Sequence, residues 1–127
     1  MSKAPRYPVG TQSAYVIGVS SGCSVDIRIP GGGVKLALKG VECPLGREAD
    51  ERAARRFTTR AVFDRAVRIR LAGINQDGVS EADVYYEGTV LLNRELVANG
   101  LARARDPLLR DAESEARRLG RGIWAPR

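Results

Sequence analysis

The strongest constraint on the fold lies in residues 14–40, where three short segments rich in Val and Ile follow one another across glycine turns. The segments are AYVIGVSS (14–21), SVDIRI (24–29) and VKLALKG (34–40), and the last two alternate between apolar and polar residues. Such alternation is typical of half-buried strands, and the glycines between the segments favour tight turns. The stretch therefore predicts a three-stranded antiparallel meander.

A helical pattern replaces this alternation in residues 47–65. Apolar side chains recur there at three- and four-residue spacing, which predicts a helix with one buried stripe. The predicted stripe contains Ala49, Ala53, Ala54, Phe57, Ala61 and Val62. Alternation returns in AVRIRLAGI (66–74), and after a polar loop residues 82–93 predict a strand, a Glu87-Gly88 turn and a short return.

The C-terminal third predicts two helices. We expect Asn93 to cap the first helix, which ends at Gly100, and Asp106 to cap the second, with Pro107 at its first position. The buried stripe of the second helix is expected to contain Leu109, Ala112, Ala116 and Leu119.

The order of three strands, a helix, two strands and two helices predicts a five-stranded OB-fold barrel, with one helix inserted after the third strand. Residues 1–12 contain Pro5, Pro8 and Gly10 and predict an extended N-terminal arm. Residues 13–127 then form one domain, which suits a chain of 127 residues.

Composition limits the chemistry. Histidine is absent, which excludes His-based acid–base catalysis, Ser-His triads and the commonest zinc ligand. No apolar run approaches the ~20 residues that cross a bilayer, and no signal peptide is visible, so we expect an intracellular protein, cytoplasmic and also nuclear, without a membrane partner. The net charge of +6 is expected of a protein with a nucleic-acid partner, and equally of one with a basic but otherwise ordinary soluble surface.

From about Tyr15 to Trp124 the chain resembles the staphylococcal nuclease domain family. The resemblance is carried by LKGVECP at the end of the third strand, LLNRELVANGLA across the second helix and DAESEARRLGRGIW at the close. Within the family, SSGCSVDI, GVECPLG and RRFTTRAVFDRAVRI are similar to the nuclease-like repeats of Tudor staphylococcal nuclease, a eukaryotic transcriptional coactivator and RNA-silencing component. A stand-alone bacterial relative is the alternative.

The resemblance implies a calcium-dependent phosphodiesterase site, in which carboxylates hold the hard cation. The two aspartates of the first turn fall on Ser21 and Cys23, and the third aspartate falls on Glu42. One carboxylate and a soft thiol do not supply the oxygen ligands that calcium needs. We therefore predict no metal and no cofactor at this place.

The remaining catalytic positions are also altered. The glutamate that activates water falls on Leu45, and the two arginines that neutralise the phosphate fall on Ala37 and near Val79. The resemblance thus implies that hydrolysis is lost. A residual calcium-dependent phosphodiesterase, with Glu48 or Arg47 as a displaced base or clamp, is the alternative.

The resemblance also places Cys23 and Cys43 at the former metal pocket, so a disulfide between them is one alternative. We expect two free, semi-buried thiols instead, because disulfides are rare in a reducing cytosol.

The remaining candidates are basic surface residues and one aromatic residue. We predict nucleic-acid contacts, with RNA favoured over DNA, from Arg28, Lys35, Lys39, Arg52, Arg56, Arg60 and Tyr85. A solvated helix face, partly neutralised by neighbouring Asp and Glu, would explain the arginines of the first helix equally simply. The sequence favours a catalytically silent nucleic-acid-binding module; a protein-interaction module of a coactivator or RNA-silencing assembly is the alternative.

Overall fold

The computed structural model describes residues 7–126, and all elements below lie in that range. The strands are β1 (Gln12–Ser21), β2 (Ser24–Ile29), β3 (Gly32–Leu38), β4 (Val41–Glu42), β5 (Ala66–Ile74), β6 (Ser80–Tyr86), β7 (Val90–Leu91) and β8 (Arg103–Ala104). The α-helices are α1 (Glu48–Val62), α2 (Leu92–Ala98) and α3 (Arg110–Arg118), and 3₁₀ turns occupy Pro107–Leu109 and Gly122–Trp124.

In this described part of the chain, five strands close into a barrel. They are neighbours in the order β3, β2, β1, β5, β6, and β3 also pairs with β6 in parallel from Leu36↔Ser80 to Leu38↔Ala82. The other pairings are antiparallel, so the predicted meander is confirmed. This OB-like barrel, with α1 after β3 and two helices after the last strands, is the predicted architecture.

The core follows from the alternation in the strands. Inward-facing residues such as Val25, Ile27, Leu36 and Ile69 are at most 1% exposed, and α2 adds buried Leu and Val side chains. Burying these apolar groups is the main source of stability for a domain of this size. The same alternation turns the polar residues of β2 and β3 outward.

Two predicted helix stripes need correction. In α1 the residues buried against the barrel are Ala54, Thr58 and Val62, whereas Ala49 is exposed. Thr58 is accommodated because its Oγ1 donates a hydrogen bond to the Gly22 carbonyl at 2.6 Å. In the last helix Leu119 is 46% exposed, since α3 ends at Arg118.

The predicted cap at Asn93 is wrong, and the one at Asp106 is confirmed. Helix α2 begins at Leu92, so Asn93 lies inside its first turn, where it is 1% exposed. The Asp106 carboxylate accepts from the Leu108 amide at 3.0 Å and begins the 3₁₀ turn that leads into α3.

The predicted arm falls partly outside the described residues, which begin at residue 7. Residues 7–11 lie along β5 and are fixed by two of its arginines. Arg68 donates to the Thr11 carbonyl at 2.6 Å, and Arg70 donates to the Val9 carbonyl at 2.8 Å. The division into an arm and one domain stays a prediction.

Candidate functional site

The turn between β1 and β2 carries Ser21 and Cys23, onto which the resemblance maps the first two metal positions. Ser21 Oγ lies 2.8 Å from Ser24 Oγ and accepts a hydrogen bond from the Cys23 amide at 3.1 Å. Helix α1 presses on this turn so closely that a Cβ on Gly22 would lie 2.5 Å from the Ala54 Cβ. The turn is therefore fixed by the protein itself.

Cys23 and Cys43 form a disulfide, with an S–S distance of 2.02 Å and Cα atoms 5.8 Å apart. The expectation of two free thiols is wrong. The fold brings the two residues together because the end of β3 lies against the β1–β2 turn, where the Leu38 amide donates to the Cys23 carbonyl at 2.8 Å. The disulfide thus links the β1–β2 turn to the segment that leads into α1.

Glu42, the one carboxylate at the metal positions that the resemblance implies, is paired with an arginine. Its Oε2 lies 2.7 Å from Arg105 Nη2, and β4 pairs with β8 at this point. Among residues 7–126, no group of three or more His, Cys, Asp or Glu side chains is arranged to hold a metal ion.

The resemblance maps the remaining catalytic positions onto Ala37, Val79 and Leu45. Ala37 pairs with Ser24 on β2 and with Glu81 on β6. Val79 lies in the β5–β6 loop, where its amide donates to Asn75 Oδ1 at 3.0 Å. Leu45 is 84% exposed in the segment before α1.

A cleft of about 470 Å³ adjoins Glu42, between the segment before α1 and the C-terminal 3₁₀ turn. Arg47 lines this cleft, but its Nε lies 3.7 Å from the Asp50 carboxylate, which lines it too. Glu48, the other displaced candidate, is the first residue of α1 and pairs with Arg52 at 3.1 Å. The carboxylates of Glu42, Asp50 and Glu48 therefore each lie beside an arginine.

The basic residues of the meander share their outward face with acids. Lys35 is paired in register with Asp26, and Lys39 Nζ lies 3.9 Å from Asp106. Arg28 is exposed opposite Tyr15. This face of the barrel is of mixed charge.

Asp83 adds a further carboxylate beside Lys39. Burial raises the pKa of Asp83 above its usual value, while the positive charges of Lys39 and Arg70 act in the opposite direction. Its carboxylate lies 3.8 Å from Arg70 Nη1. In its ionised form this carboxylate offsets part of the positive charge of Lys39 and Arg70.

Tyr85, the predicted stacking residue, is covered by an arginine. The Arg70 guanidinium lies 5.6 Å from the centre of its ring and donates to its hydroxyl at 3.1 Å. One face of the ring is therefore already occupied by a cation. The neighbouring Tyr86 instead points toward α1.

Among the basic residues predicted to contact nucleic acid, the most concentrated group lies on the exposed face of α1. We define the arginine ridge as Arg52, Arg55, Arg56 and Arg60, which are all exposed and line one surface depression together with Thr59. Of these four, only Arg52 has an ion-pair partner within the described residues. The acidic residues of α1 lie in its first turn, so the rest of the ridge extends beyond them.

A second concave surface, which no sequence pattern predicted, adjoins the ridge. We define the α1 groove, of about 510 Å³, by its lining residues Ala53, Arg56, Phe57, Arg60, Ala61, Tyr86, Glu87 and Leu101. Its α1 wall was visible as an apolar row beside the arginines, but its opposite wall depends on how β6 and the end of α2 pack.

The barrel and its helices define a small OB-like domain that carries a basic helix and a site without a metal-ligand cluster in residues 7–126. The family model described as staphylococcal nuclease homologue matches residues 35–126, so this chain belongs to that family. No curated protein matches the sequence significantly. In residues 7–126 there is no helix of the length and apolarity that crossing a membrane requires.

Proposed function

We propose that this domain is a nucleic-acid-binding module of the nuclease fold, that it does not hydrolyse its partner by the family's calcium mechanism, and that the partner is RNA. The observation that carries the proposal is the arginine ridge, a row of guanidinium groups on one helix of which only Arg52 is ion-paired within residues 7–126.

The loss of hydrolysis is supported by the side chains at the mapped positions. Calcium takes 6–8 oxygen ligands, and the disulfide of Cys23 lies where a carboxylate would be required. Glu42 is held by Arg105, and Ala37 supplies no positive charge for a phosphate. Losing these groups together removes metal, base and electrostatic stabilisation of the transition state.

Binding through the ridge is supported by the contrast between two surfaces. Exposed arginines attract phosphates because neutralising the backbone releases condensed counterions. The meander face, whose basic residues the sequence also predicts as contacts, interleaves Lys35 and Lys39 with Asp26 and Asp106. We therefore assign the main phosphate contacts to α1.

The preference for RNA rests on the resemblance of SSGCSVDI and GVECPLG to the Tudor staphylococcal nuclease repeats. On the same ground we propose a role in transcriptional coactivation or RNA silencing, inside the cell. These finer assignments depend on that resemblance alone.

The test measures the affinity of labelled RNA and DNA for the protein over a range of salt. Log K should fall linearly with log salt between about 50 and 200 mM, and the triple variant Arg55→Ala/Arg56→Ala/Arg60→Ala should lower the slope by about 2, since each phosphate contact in a single strand contributes about 0.7. The matched control, Arg28→Ala/Lys35→Ala/Lys39→Ala, removes the same charge from the meander and should change affinity less.

Equal losses in the two triple variants would reject the ridge and leave only a general effect of net charge. An affinity independent of salt would reject phosphate binding. No binding to any nucleic acid would favour the protein-interaction module.

Hydrolysis is tested with the same oligonucleotides in calcium and in chelator. We expect no cleavage in either condition. Calcium-dependent cleavage that is abolished by Glu42→Ala would instead establish the residual phosphodiesterase.

A further inference from the structure

We propose that the α1 groove binds an unpaired base, so that the domain prefers single-stranded nucleic acid to a duplex. The inference rests on the proposed function, because the base in the groove would belong to the same strand whose phosphates bind the arginine ridge.

The helix places phosphate-binding and base-binding side chains side by side. Arg52, Arg56 and Arg60 form one row at four-residue spacing, and Ala53, Phe57 and Ala61 form the next row. Residues four apart lie one above the other on a helix, about 6 Å apart. The positive row therefore borders the apolar row over two turns, and Arg56 and Arg60 line both concave surfaces.

The opposite wall of the groove brings a second aromatic ring toward Phe57. Tyr86 ends β6, and Leu101 follows α2. Phe57, Tyr86 and Leu101 are all half-buried and pack against the core on one side. Their positions are fixed by that packing, so the groove exists before any ligand binds.

This combination matches the chemistry of a nucleotide. A base presents a flat aromatic face, and aromatic side chains bind such faces with little dependence on sequence. Its phosphates carry the negative charge that two adjacent guanidinium groups attract. The groove volume of about 510 Å³ lies within the range of roughly 300–1,000 Å³ for small-ligand sites.

A duplex does not offer the same match. Its bases are stacked inside the helix, so it would present phosphates to the ridge but no base to the groove. A flexible single strand can do both at once.

The position of the two neighbouring tyrosines supplies a matched pair of variants. Tyr86 lines the groove, whereas Tyr85 lies next to Arg70 on the other face of β6. Replacing either tyrosine with leucine keeps the apolar bulk and removes the aromatic face. Thermal melting of both variants verifies that the barrel still folds.

The experiment compares a single-stranded RNA with a duplex that contains it. We expect Tyr86→Leu to weaken single-strand binding about 10-fold, the size typical of one stacked base, and to leave duplex binding unchanged. Tyr85→Leu should lower single-strand affinity less than Tyr86→Leu does, because the Arg70 guanidinium already covers the Tyr85 ring. In the wild-type protein, photo-crosslinking of the same strand with 5-iodouridine should modify Phe57 or Tyr86.

The outcomes separate this inference from the proposed function. If the ridge variant loses affinity but Tyr86→Leu does not, or if crosslinks form only outside the groove, the groove assignment is wrong and the phosphate-binding function remains. An equal loss on single strand and duplex also rejects the groove. If the ridge variant retains full affinity, the function itself is wrong.

Discussion

Asn93 joins three parts of the barrel through one buried side chain. Its Nδ2 donates to the carbonyls of Lys39 at 2.8 Å and Ala82 at 3.1 Å, and its Oδ1 accepts from the Val84 amide at 3.2 Å. These groups lie at the end of β3, within β6 and within α2. One side-chain amide thus connects helix α2 to the β3–β6 pair, where the barrel closes.

We expect Asn93→Ala to lower the free energy of unfolding by about 3 kcal/mol, because it leaves buried backbone groups without their partners. Urea unfolding measures the change. The control is Asn99→Ala at the exposed end of α2, where we expect less than about 0.5 kcal/mol. Similar small losses in both variants would contradict the role assigned to Asn93.

Asp83 makes stability depend on pH in a defined direction. Burial is the largest influence on its pKa and raises it, so the folded state favours the protonated carboxyl. The charged form therefore destabilises the fold. This penalty is absent below the pKa that Asp83 has in the unfolded chain, and it is fully present once the pH has risen through the pKa of Asp83 in the folded protein.

Asp83→Asn should consequently raise the melting temperature at pH 7, and the gain should vanish as pH falls below about 4, where the wild-type carboxyl is protonated in both states. Thermal melts of both proteins from pH 3 to pH 7 measure the difference. A variant less stable than wild type at pH 7 would mean that the ion pair with Arg70 outweighs burial.

At the scale of single residues, the sequence predicted side-chain chemistry well and three-dimensional surroundings poorly. Asn93 precedes a helical pattern, which is also the arrangement of an N-cap, and its burial follows only from the closure of the barrel. Cys23 and Cys43 were placed at one pocket by the resemblance. Their pairing depends on the backbone contact between β3 and the first turn, which no spacing rule encodes.

At the scale of elements, helix α1 is positioned by its contact with the β1–β2 turn. The contact between Gly22 and Ala54 leaves no room for a Cβ on Gly22, and Thr58 hydrogen-bonds the carbonyl of the same glycine. The arginine ridge faces outward because the opposite side of α1 is held in this way.

Gly22→Ala should destabilise the protein by about 2 kcal/mol, since the helix or the turn must move to relieve the overlap. The control is Gly33→Ala on β3, where the nearest atom to an added Cβ is 3.7 Å away. Chemical unfolding of both variants measures the difference. If the two substitutions have the same effect, the helix does not rest rigidly on the turn.

Long elements were predictable and short ones were not. The alternation in β2 and β5 and the presence of a helix at α1 follow from local periodicity. Strands β4 and β8 have two residues each and pair through Val41↔Ala104, a contact between distant parts of the chain. The ridge was likewise visible in the helical spacing of its arginines, whereas the α1 groove required the position of Tyr86.

At the scale of the whole molecule, the net charge of +6 is less informative than its distribution. The same count of cations would describe a uniformly basic surface. Folding instead sets Lys39 near Asp106 and Arg105 against Glu42, and leaves most of the α1 arginines unpaired within residues 7–126. The sequence alone specifies the net charge, whereas the folded barrel determines which cations remain available to a partner.

The disulfide acts on the whole molecule because it restricts the unfolded chain. It joins residues 20 apart, and closing a loop of that length should stabilise the folded state by about 3 kcal/mol in the chain-entropy model. The link connects the first turn of the barrel to the segment that leads into α1.

We therefore expect the variant Cys23→Ser/Cys43→Ser to unfold at a lower urea concentration, because its free energy of unfolding falls by about 3 kcal/mol. The fluorescence of the single tryptophan, Trp124, follows the unfolding. Reductant should shift wild-type protein to the same midpoint and leave the double variant unchanged. Equal sensitivity of both proteins to reductant would contradict the bond.

Because disulfides persist mainly in oxidising compartments, the stability of the reduced form decides whether the domain can act inside the cell, as its sequence predicts. A reduced protein that stays folded and keeps its salt-dependent binding would satisfy that prediction, since α1 lies outside the loop that the disulfide closes.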